Sequence, residues 1–350
     1  MSVTALHETA RAGAAGSAVT SGAAVPPARR TTPLPALLAA AAWAAAGALT
    51  LIWPDEQVSG LGQARVTGTG LVAAVAFALA GLALAGGLIG LRRRSLGARL
   101  AHAVPWLVVL AALFTTWELL TAKTGTLTPP YWASPQRIQA DFRSDHVLLL
   151  QSLWSSLRLL LEGYAIGALT GVLVGVAMGW SQRVNYWLHP ILRTIGPLPP
   201  VALIPIMFVL LPSSGSASLL LIALSAWFPV TVLTFSGVSG VSRAYYDVAL
   251  TLGARSRFLV TRVAVPAALP SIFVGLFMGL GMTFPTLVIA EMLGARNGLG
   301  WYVQWQQHWS AYPKMYVALV LMVVLFSGLL TLLFVVRDRV LAWQRGLVRW

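Results

Sequence analysis

The stretch with residue types that could do chemistry is 245–270, YYDVALTLGARSRFLVTRVAVPAALP, which lies between two long apolar runs. It carries one carboxylate, Asp247, and three guanidinium groups, Arg255, Arg257 and Arg262. Charges of this number are too costly for a segment that crosses a bilayer. The regular placement of apolar residues is equally atypical of an irregular loop. The stretch therefore predicts a structured unit that lies outside the hydrocarbon.

The pattern predicts a helix, a glycine turn and a second, basic helix. Asp247 falls close to the start of the first helix, where a carboxylate complements the helix dipole. Gly253 permits the left-handed turn that follows. Pro266 and Pro270 are expected to end the second helix. The apolar contacts expected of the first helix are Tyr246, Ala249, Leu250 and Leu252.

This unit resembles the cytoplasmic EAA loop of importer permeases of the ATP-binding-cassette (ABC) class. The family pattern is EAA, three residues, Gly, nine residues, Ile, one residue, Leu-Pro. The matching positions are Asp247, Val248, Ala249, Gly253, Val263, Val265 and Pro266. Asp replaces Glu and Val replaces the first Ala, the Ile and the Leu, so charge and apolar character are kept. Downstream, AEMLGARNGLG at 290–300 resembles the sulfonate, taurine and nitrate branch, and the resemblance covers roughly 106–350.

The resemblance implies that the first helix is a coupling helix that docks into a cleft of a separate ATPase subunit. The docking residues would be Tyr246, Asp247, Ala249, Leu250, Gly253, Ala254, Arg255 and Pro266. Other implied partners are an extracytoplasmic solute-binding protein and a second permease chain, identical or different. The alternative is a basic amphipathic hairpin that lies on anionic lipid.

Composition places the chain in a membrane. Apolar residues make up 57% of the sequence and charged residues only 10%, against about 25% in soluble domains. The net charge of +14 comes mainly from arginines beside apolar runs. This is the positive-inside pattern and does not indicate nucleic-acid binding. We expect a multi-pass protein of the bacterial cytoplasmic (inner) membrane with both termini in the cytoplasm.

Hydropathy predicts about eight spans in an all-α membrane helix bundle, and the resemblance implies the type I ABC importer transmembrane fold. Residues 1–35 are expected to be a disordered cytoplasmic tail and 36–103 to hold two additional spans. The permease domain is placed at 104–340, with a six-span family core at 145–336, and a cytoplasmic tail at 341–350. The expected spans are 36–53, 71–91, 104–120, 147–180, a broken span at 196–212, 218–238, 267–292 and 315–336.

Three further groups are candidates. Glu291 would contact the binding protein or the mouth of the path, or would bond to local backbone at a helix end. Pro199 and Pro200 would line the path or form a packed kink. Arg158 and Glu162, four residues apart, would pair on one helical face.

Catalytic chemistry is not indicated. A phosphate-binding loop needs Lys after Gly, but Lys123 follows Ala122 and Lys314 follows Pro313. No metal or catalytic constellation is predicted and no cofactor is expected, since ATP would be bound by the partner ATPase. The predicted function is a permease subunit that forms the path for a small solute, an anion such as a sulfonate, taurine or nitrate, although that branch also includes carriers of pyrimidine-type precursors. The alternative is an ion-coupled secondary transporter or channel.

Overall fold

The computed structural model describes residues 34–55, 68–92, 94–127, 131–196 and 198–343, and these residues form helices and connecting turns without a strand. The first 33 residues of the predicted tail and residues 344–350 of the C-terminal tail lie outside this part of the chain. The helices are α1 Leu34–Ile52, α2 Thr69–Arg92, α3 Arg94–Glu118, α4 Pro135–Trp180, α5 Gln182–Ile195, α6 Ile204–Leu210, α7 Ser214–Ser239, α8 Arg243–Thr251, α9 Ser256–Gly294, α10 Leu299–His308 and α11 Tyr312–Val340.

Six helices in the described ranges are long and apolar enough to cross a membrane: α2, α3, α4, α7, α9 and α11. Two shorter apolar helices, Ala36–Ile52 and Pro200–Leu210, bring the number of apolar segments to the eight predicted. The second is a 3₁₀ turn followed by α6, so the prediction of a broken segment is confirmed. We call the two ends of the bundle the α8 end and the α10 end, after the short helix that caps each.

The fourth span is much longer than predicted. α4 has 46 residues and begins at Pro135, twelve residues before the expected start. The Ser134 hydroxyl accepts a hydrogen bond from the backbone N–H of Arg137, and Pro135 occupies the first turn, which is a favourable helix start. At 1.5 Å per residue the helix is about 69 Å long, against about 30 Å of hydrocarbon. Its first turns therefore extend beyond the membrane at the α10 end.

Two segments between the expected spans are helical. The basic segment after α4 forms α5, and α10 lies between the spans expected at 267–292 and 315–336. Both are too short to cross the hydrocarbon. On α10 the rings of Trp301 and Trp305 stack at 5.7 Å, while Tyr302 is fully buried. These polar-rich segments fold because one face of each packs on the bundle.

A row of five glycines on α4 brings it against α7. They recur every fourth residue: Gly163, Gly167, Gly171, Gly175 and Gly179. A Cβ added to any of them would lie 3.0 Å or less from an α7 atom. The absence of side chains allows the two backbones to approach closely along five turns.

Glycines also bring α9 against α7. A Cβ at Gly275 or Gly279 would lie 3.1–3.2 Å from α7. At Gly281, in contrast, it would meet nothing within 4 Å. α7 is thus the central helix, held between α4 and α9.

The expectation that Pro266 and Pro270 end the second helix of the hairpin is wrong. α9 runs through both prolines from Ser256 to Gly294. A π-helical segment at Leu259–Ala264 precedes Pro266, and the backbone N–H of Val265 bonds to Val260 O. The wider turn accommodates a residue that lacks an N–H and would strain an ordinary α-helix.

The first three helices pack on one another through small side chains. Ala39, Ala76, Ala80 and Ala111 are buried between them, and Trp43 Nε1 donates to Leu107 O at 3.1 Å. The third span thus packs with the two additional spans.

A buried polar cluster ties these helices together at the α10 end. Lys123 Nζ donates to Thr50 O at 3.0 Å, Trp53 O at 2.6 Å and Asp55 Oδ1 at 2.6 Å. Glu118 accepts from the Thr50 hydroxyl at 2.7 Å and from Gln136 Nε2, on α4, at 2.8 Å. The second bond joins the N-terminal helices to the rest of the bundle.

Candidate functional site

The predicted coupling unit is a helix, a glycine turn and a second helix, between α7 and the long part of α9. α8 spans Arg243–Thr251, and Gly253 follows with φ +79°. The turn is closed by Gly253 N–H to Leu250 O at 2.9 Å and Ala254 N–H to Ala249 O at 3.0 Å. Because a Cβ at Gly253 would meet nothing within 4 Å, backbone conformation and not space favours glycine here.

An aromatic side chain of α8 packs against the bundle. Tyr246 is half-buried and its ring lies 5.9 Å from that of Trp180, at the end of α4. It also packs on the cluster of Val238, Ala264 and Ala268. Burial raises the pKa of the Tyr246 hydroxyl, so the phenol stays neutral at physiological pH. This contact fixes the rotation of α8 about its axis.

The rest of α8 faces outward, since none of its residues is buried. Four of the predicted docking residues are exposed: Asp247, Leu250, Gly253 and Arg255. The other four are half-buried: Tyr246, Ala249, Ala254 and Pro266. Leu250 and Leu252, expected as apolar contacts of this helix, are 53% and 84% exposed and therefore do not pack on the bundle.

Asp247 does not lie at the start of the helix. It is the fifth of nine residues, and the first turn of α8 carries no acidic side chain. The proposed interaction with the helix dipole is therefore wrong, because that effect fades beyond the first turn. Among the described residues Asp247 has no hydrogen-bond or ion-pair partner, so its carboxylate is available to another molecule.

Sequence reasoning did not predict Val248, Leu252 and Phe258 as docking residues, although these apolar side chains are exposed. Val248 is 63% and Phe258 51% exposed, beside Leu250 and Leu252. Together with Asp247 these four side chains form what we call the docking surface. Helical spacing could have predicted the exposure of Val248 and Leu252, because both lie on the face of the helix opposite Tyr246.

Glu291 occupies a buried site at the α10 end of α9. Its carboxylate oxygens lie 2.7 and 2.9 Å from the Ser156 hydroxyl on α4, and one accepts the Gly300 N–H at 2.8 Å. The Ser156 hydroxyl in turn accepts the Leu299 N–H at 2.8 Å. The carboxylate and the Ser156 hydroxyl thus each accept one backbone N–H in the first turn of α10, and together they join three helices.

The glycines of AEMLGARNGLG make room for this carboxylate. Gly298 has φ +123°, and a Cβ there would overlap the carboxyl group of Glu291. A Cβ at Gly300 would lie 2.8 Å from Glu291 Cβ. Glu291 is 1% exposed, so within this chain its environment is helix-end backbone. Ser156 was missed because it lies 135 residues away.

Pro199 and Pro200 begin the segment that leads into α6. Pro199 is exposed and extended, and Pro200 opens the 3₁₀ turn Pro200–Leu203. Ile204, at the start of α6, is buried with Leu221 of α7 and Ala290 of α9. The segment is therefore a packed break in the bundle surface, with its first proline outermost.

The predicted pairing of Arg158 with Glu162 is confirmed. Nε of Arg158 lies 2.7 Å from Glu162 Oε1, with the two side chains 70% and 47% exposed. Near the α10 end, Asp145 accepts from Lys314 Nζ and from the Tyr302 hydroxyl, both at 2.8 Å. This ion pair lies beside a cavity of about 480 Å³ between α4, α10 and the start of α11.

Comparison with known proteins decides the family. The family model described as "Binding-protein-dependent transport system inner membrane component" matches residues 167–344, which include the hairpin and Glu291. The chain belongs to this family. It is a transmembrane permease subunit of an ABC importer, so the reading as an ion-coupled secondary carrier or channel is set aside.

Relatives of this permease agree with the branch assignment. A "probable ABC transporter permease protein" of Brucella melitensis is 32% identical over 67% of this chain and 92% of its own length. The bicarbonate transport system permease protein CmpB of Synechococcus elongatus is 31% identical over 67% and 85%. The taurine transport system permease protein TauC of Escherichia coli is 32% identical over 56% and 73%. An inward-facing MetNI methionine ABC transporter structure aligns with TM-score 0.48 and 19% identity, over 58% of this permease and 98% of the matched chain.

Proposed function

We propose that the hairpin formed by α8 and the start of α9 is the coupling element of this permease and docks a separate ATPase subunit. The observation that carries the proposal is the docking surface: Asp247, Val248, Leu250, Leu252 and Phe258 are exposed on the hairpin, and Tyr246 of α8 packs the hairpin against the bundle. Apolar side chains grouped with an unpaired carboxylate on a protruding element are typical of a protein interface.

The same proposal implies an orientation of the bundle in the membrane. The α8 end would lie in the cytoplasm, where ATP is available, with both termini on that side of a bacterial inner membrane. The arginines near this end of α11, Arg337 and Arg339, agree with the positive-inside pattern. The α10 end would then face a solute-binding protein, with Glu291 holding α10 in place, and a second permease chain would complete the path.

Force would pass through α9. The docking hairpin continues into α9 through the π-helical segment Leu259–Ala264 without a break. Movement of the hairpin when the ATPase subunits close would therefore act directly on the helix that carries Glu291. This provides a two-state element whose equilibrium ATP could bias.

We further propose a small oxyanion as the solute. Two relatives are named for bicarbonate and taurine transport, and both solutes carry an anionic oxygen group. The two additional helices, α1 and α2, would pack against α3 and through it be held to the rest of the bundle.

Co-purification tests the docking proposal. The full chain would be co-expressed with each candidate ABC ATPase of the same genome, as wild type and as Gly253→Asp. We expect the substitution to reduce recovery of the ATPase at least tenfold, because it places a charged side chain in the turn. Gly70→Asp is the matched control, since a Cβ at Gly70 meets nothing within 4 Å and the residue lies on α2. If Gly253→Asp recovers as much ATPase as wild type and Gly70→Asp do, the docking role is refuted.

A further inference from the structure

α5 begins at the level where α4 leaves the membrane. Ser156 of α4 bonds to Leu299 at the α10 end, and α4 ends 24 residues later at Trp180. This part of α4 is about 36 Å long, slightly more than the hydrocarbon thickness of about 30 Å. Trp180 is therefore at the opposite interface, and α5 starts two residues beyond it, at Gln182.

From there α5 slants into the membrane along α7. The His189 ring lies 6.2 Å from the ring of Phe235, close to the end of α7 at Ser239. A Cβ at Gly196, which follows α5, would overlap the Phe228 ring. Phe228 lies seven residues, or about 10 Å, deeper along α7 than Phe235. The first turns of α5 are thus at the membrane surface, and its last turn is inside the hydrocarbon.

Two neighbouring rows of side chains follow the length of α5. The row that packs on the bundle has a residue at every fourth position: Val184, Leu188 and Leu192. The residues directly before these form a second row, which we call the exposed row: Arg183, Trp187 and Ile191. Trp187 is 73% and Ile191 46% exposed, whereas Leu192 is 6% exposed. The exposed row therefore has no neighbour within this chain that would cover it.

The chemistry of the exposed row follows the depth of the membrane. Arg183 is within one turn of the end of α4, at the level of the phosphate groups. Trp187 lies one turn further, in the interfacial region where tryptophan is enriched. Ile191 lies another turn deeper, among acyl chains. A change from cation to tryptophan to aliphatic side chain along a slanting helix is what a phospholipid contact requires.

Charge favours an anionic phospholipid. α5 contains no Asp or Glu, and a second exposed arginine, Arg193, lies in its last turn. Among the residues that the structure describes, neither Arg183 nor Arg193 has a hydrogen-bond or ion-pair partner. The long side chain of Arg193 can extend back to the headgroup layer. Two guanidinium groups without a partner attract a headgroup of net negative charge more strongly than a zwitterionic one.

We propose that the exposed row of α5 binds anionic phospholipid, with Arg183 and Arg193 in contact with the headgroup and with Trp187 and Ile191 against acyl chains. A guanidinium group can donate two parallel hydrogen bonds to a phosphate. The bound lipid would hold the start of the broken segment at the interface. This inference goes beyond the proposed function, since it requires neither the ATPase nor the solute.

Fluorescence quenching by spin-labelled lipid tests the proposal. The chain contains no cysteine, so full-length Ile191→Cys can be labelled with bimane at a single position. The labelled permease would be placed in phosphatidylcholine nanodiscs with equal mole fractions of either doxyl-phosphatidylglycerol or doxyl-phosphatidylcholine. The ratio of quenching by the two lipids measures local enrichment of the anionic one. Leu82→Cys, at a 68% exposed position in the middle of α2, is the reference.

We expect the quenching ratio at Ile191→Cys to be about three- to fivefold higher than at Leu82→Cys, since one arginine near an anionic surface favours binding about fivefold. The ratio should fall to the reference value when Arg183→Gln and Arg193→Gln are added. Both positions are exposed, so these substitutions should not disturb packing.

A matched pair of substitutions controls for the loss of charge. Arg243→Gln with Arg257→Gln removes two positive charges from exposed positions on α8 and α9, at the same end of the bundle. The quenching ratio at Ile191→Cys should stay largely unchanged in this variant, because neither arginine belongs to α5.

Three results would overturn the inference. Absence of quenching at Ile191→Cys by either lipid would show that a second permease chain or an ATPase subunit covers the exposed row. Equal ratios at Ile191→Cys and Leu82→Cys would show that the row contacts lipid without selecting anionic headgroups. A raised ratio that survives the loss of Arg183 and Arg193 would place the anion-binding groups elsewhere. None of these measurements requires ATPase docking, so failure here is distinguishable from failure of the coupling proposal.

Discussion

The Ser156 hydroxyl lies 2.7 and 2.9 Å from the two carboxylate oxygens of Glu291 and accepts the N–H of Leu299. One small side chain on α4 thereby bonds to the end of α9 and the start of α10. All of these groups are buried, so each depends on the others for its hydrogen bonds.

Ser156→Ala should lower stability. The substitution removes a donor to Glu291 and an acceptor for Leu299, and unsatisfied buried groups cost about 1–3 kcal/mol. Thermal unfolding of the purified chain in one detergent would measure the change. Ser239→Ala is the control, because its hydroxyl is exposed and bonds only within α7. Identical midpoints for the two variants would contradict the role of Ser156.

Gly298→Ala should lower the stability of the protein more than Ser156→Ala does. Backbone strain at φ +123° costs about 1–3 kcal/mol, and the new methyl group would overlap the Glu291 carboxyl. Gly328→Ala on α11 provides the comparison, since a Cβ there meets nothing within 4 Å. The same melting measurement should place Gly328→Ala at or slightly above wild type. A stable Gly298→Ala protein would show that Glu291 does not need its present position.

The two lysines provide a matched pair. Lys123 is buried with three acceptors, whereas Lys314 has one acceptor, Asp145, and a partly exposed side chain. Lys123→Met leaves Asp55 and two carbonyls without this donor and should cost about 3–5 kcal/mol. Lys314→Met should cost about 1 kcal/mol or less. The unfolding midpoints of the two variants would reveal this order, and the reverse order would count against the buried cluster.

Val248→Asp should weaken ATPase docking without affecting the fold, since the side chain is 63% exposed. A charge in the apolar docking surface should reduce co-purification of the cognate ATPase at least tenfold. The melting temperature should stay within about 2 °C of wild type. Gly215→Asp, in the first turn of α7 at the other end of the bundle, should leave both measurements unchanged. Loss of docking in that control would point to a general defect.

Local patterns in the sequence predicted the hairpin well. Gly253 has the left-handed φ that the turn needs, and Arg158 bonds to Glu162 four residues later. The early start of α4 was also signalled, by Ser134 and Pro135, but the polar residues that follow suggested a link. The glycines from Gly163 to Gly179 were likewise visible as a repeat of four.

Other features depend on contacts between distant residues. No local signal joins Ser156 to Glu291, or Lys123 to Asp55. The continuation of α9 through Pro266 depends on a π-helical segment, which residue type alone does not specify. The burial of Tyr246 and the exposure of Leu252 follow from the packing of α8 against Trp180, which sequence spacing cannot fix.

The glycine row on α4 has a mechanical consequence. Sliding α7 by one residue would move its bulky side chains from the gaps over Gly163 and Gly171 onto neighbouring positions that carry a Cβ. α4 and α7 are thus interlocked along their contact and should move together as one rigid unit. Any rearrangement of the bundle must then take place at other helix contacts.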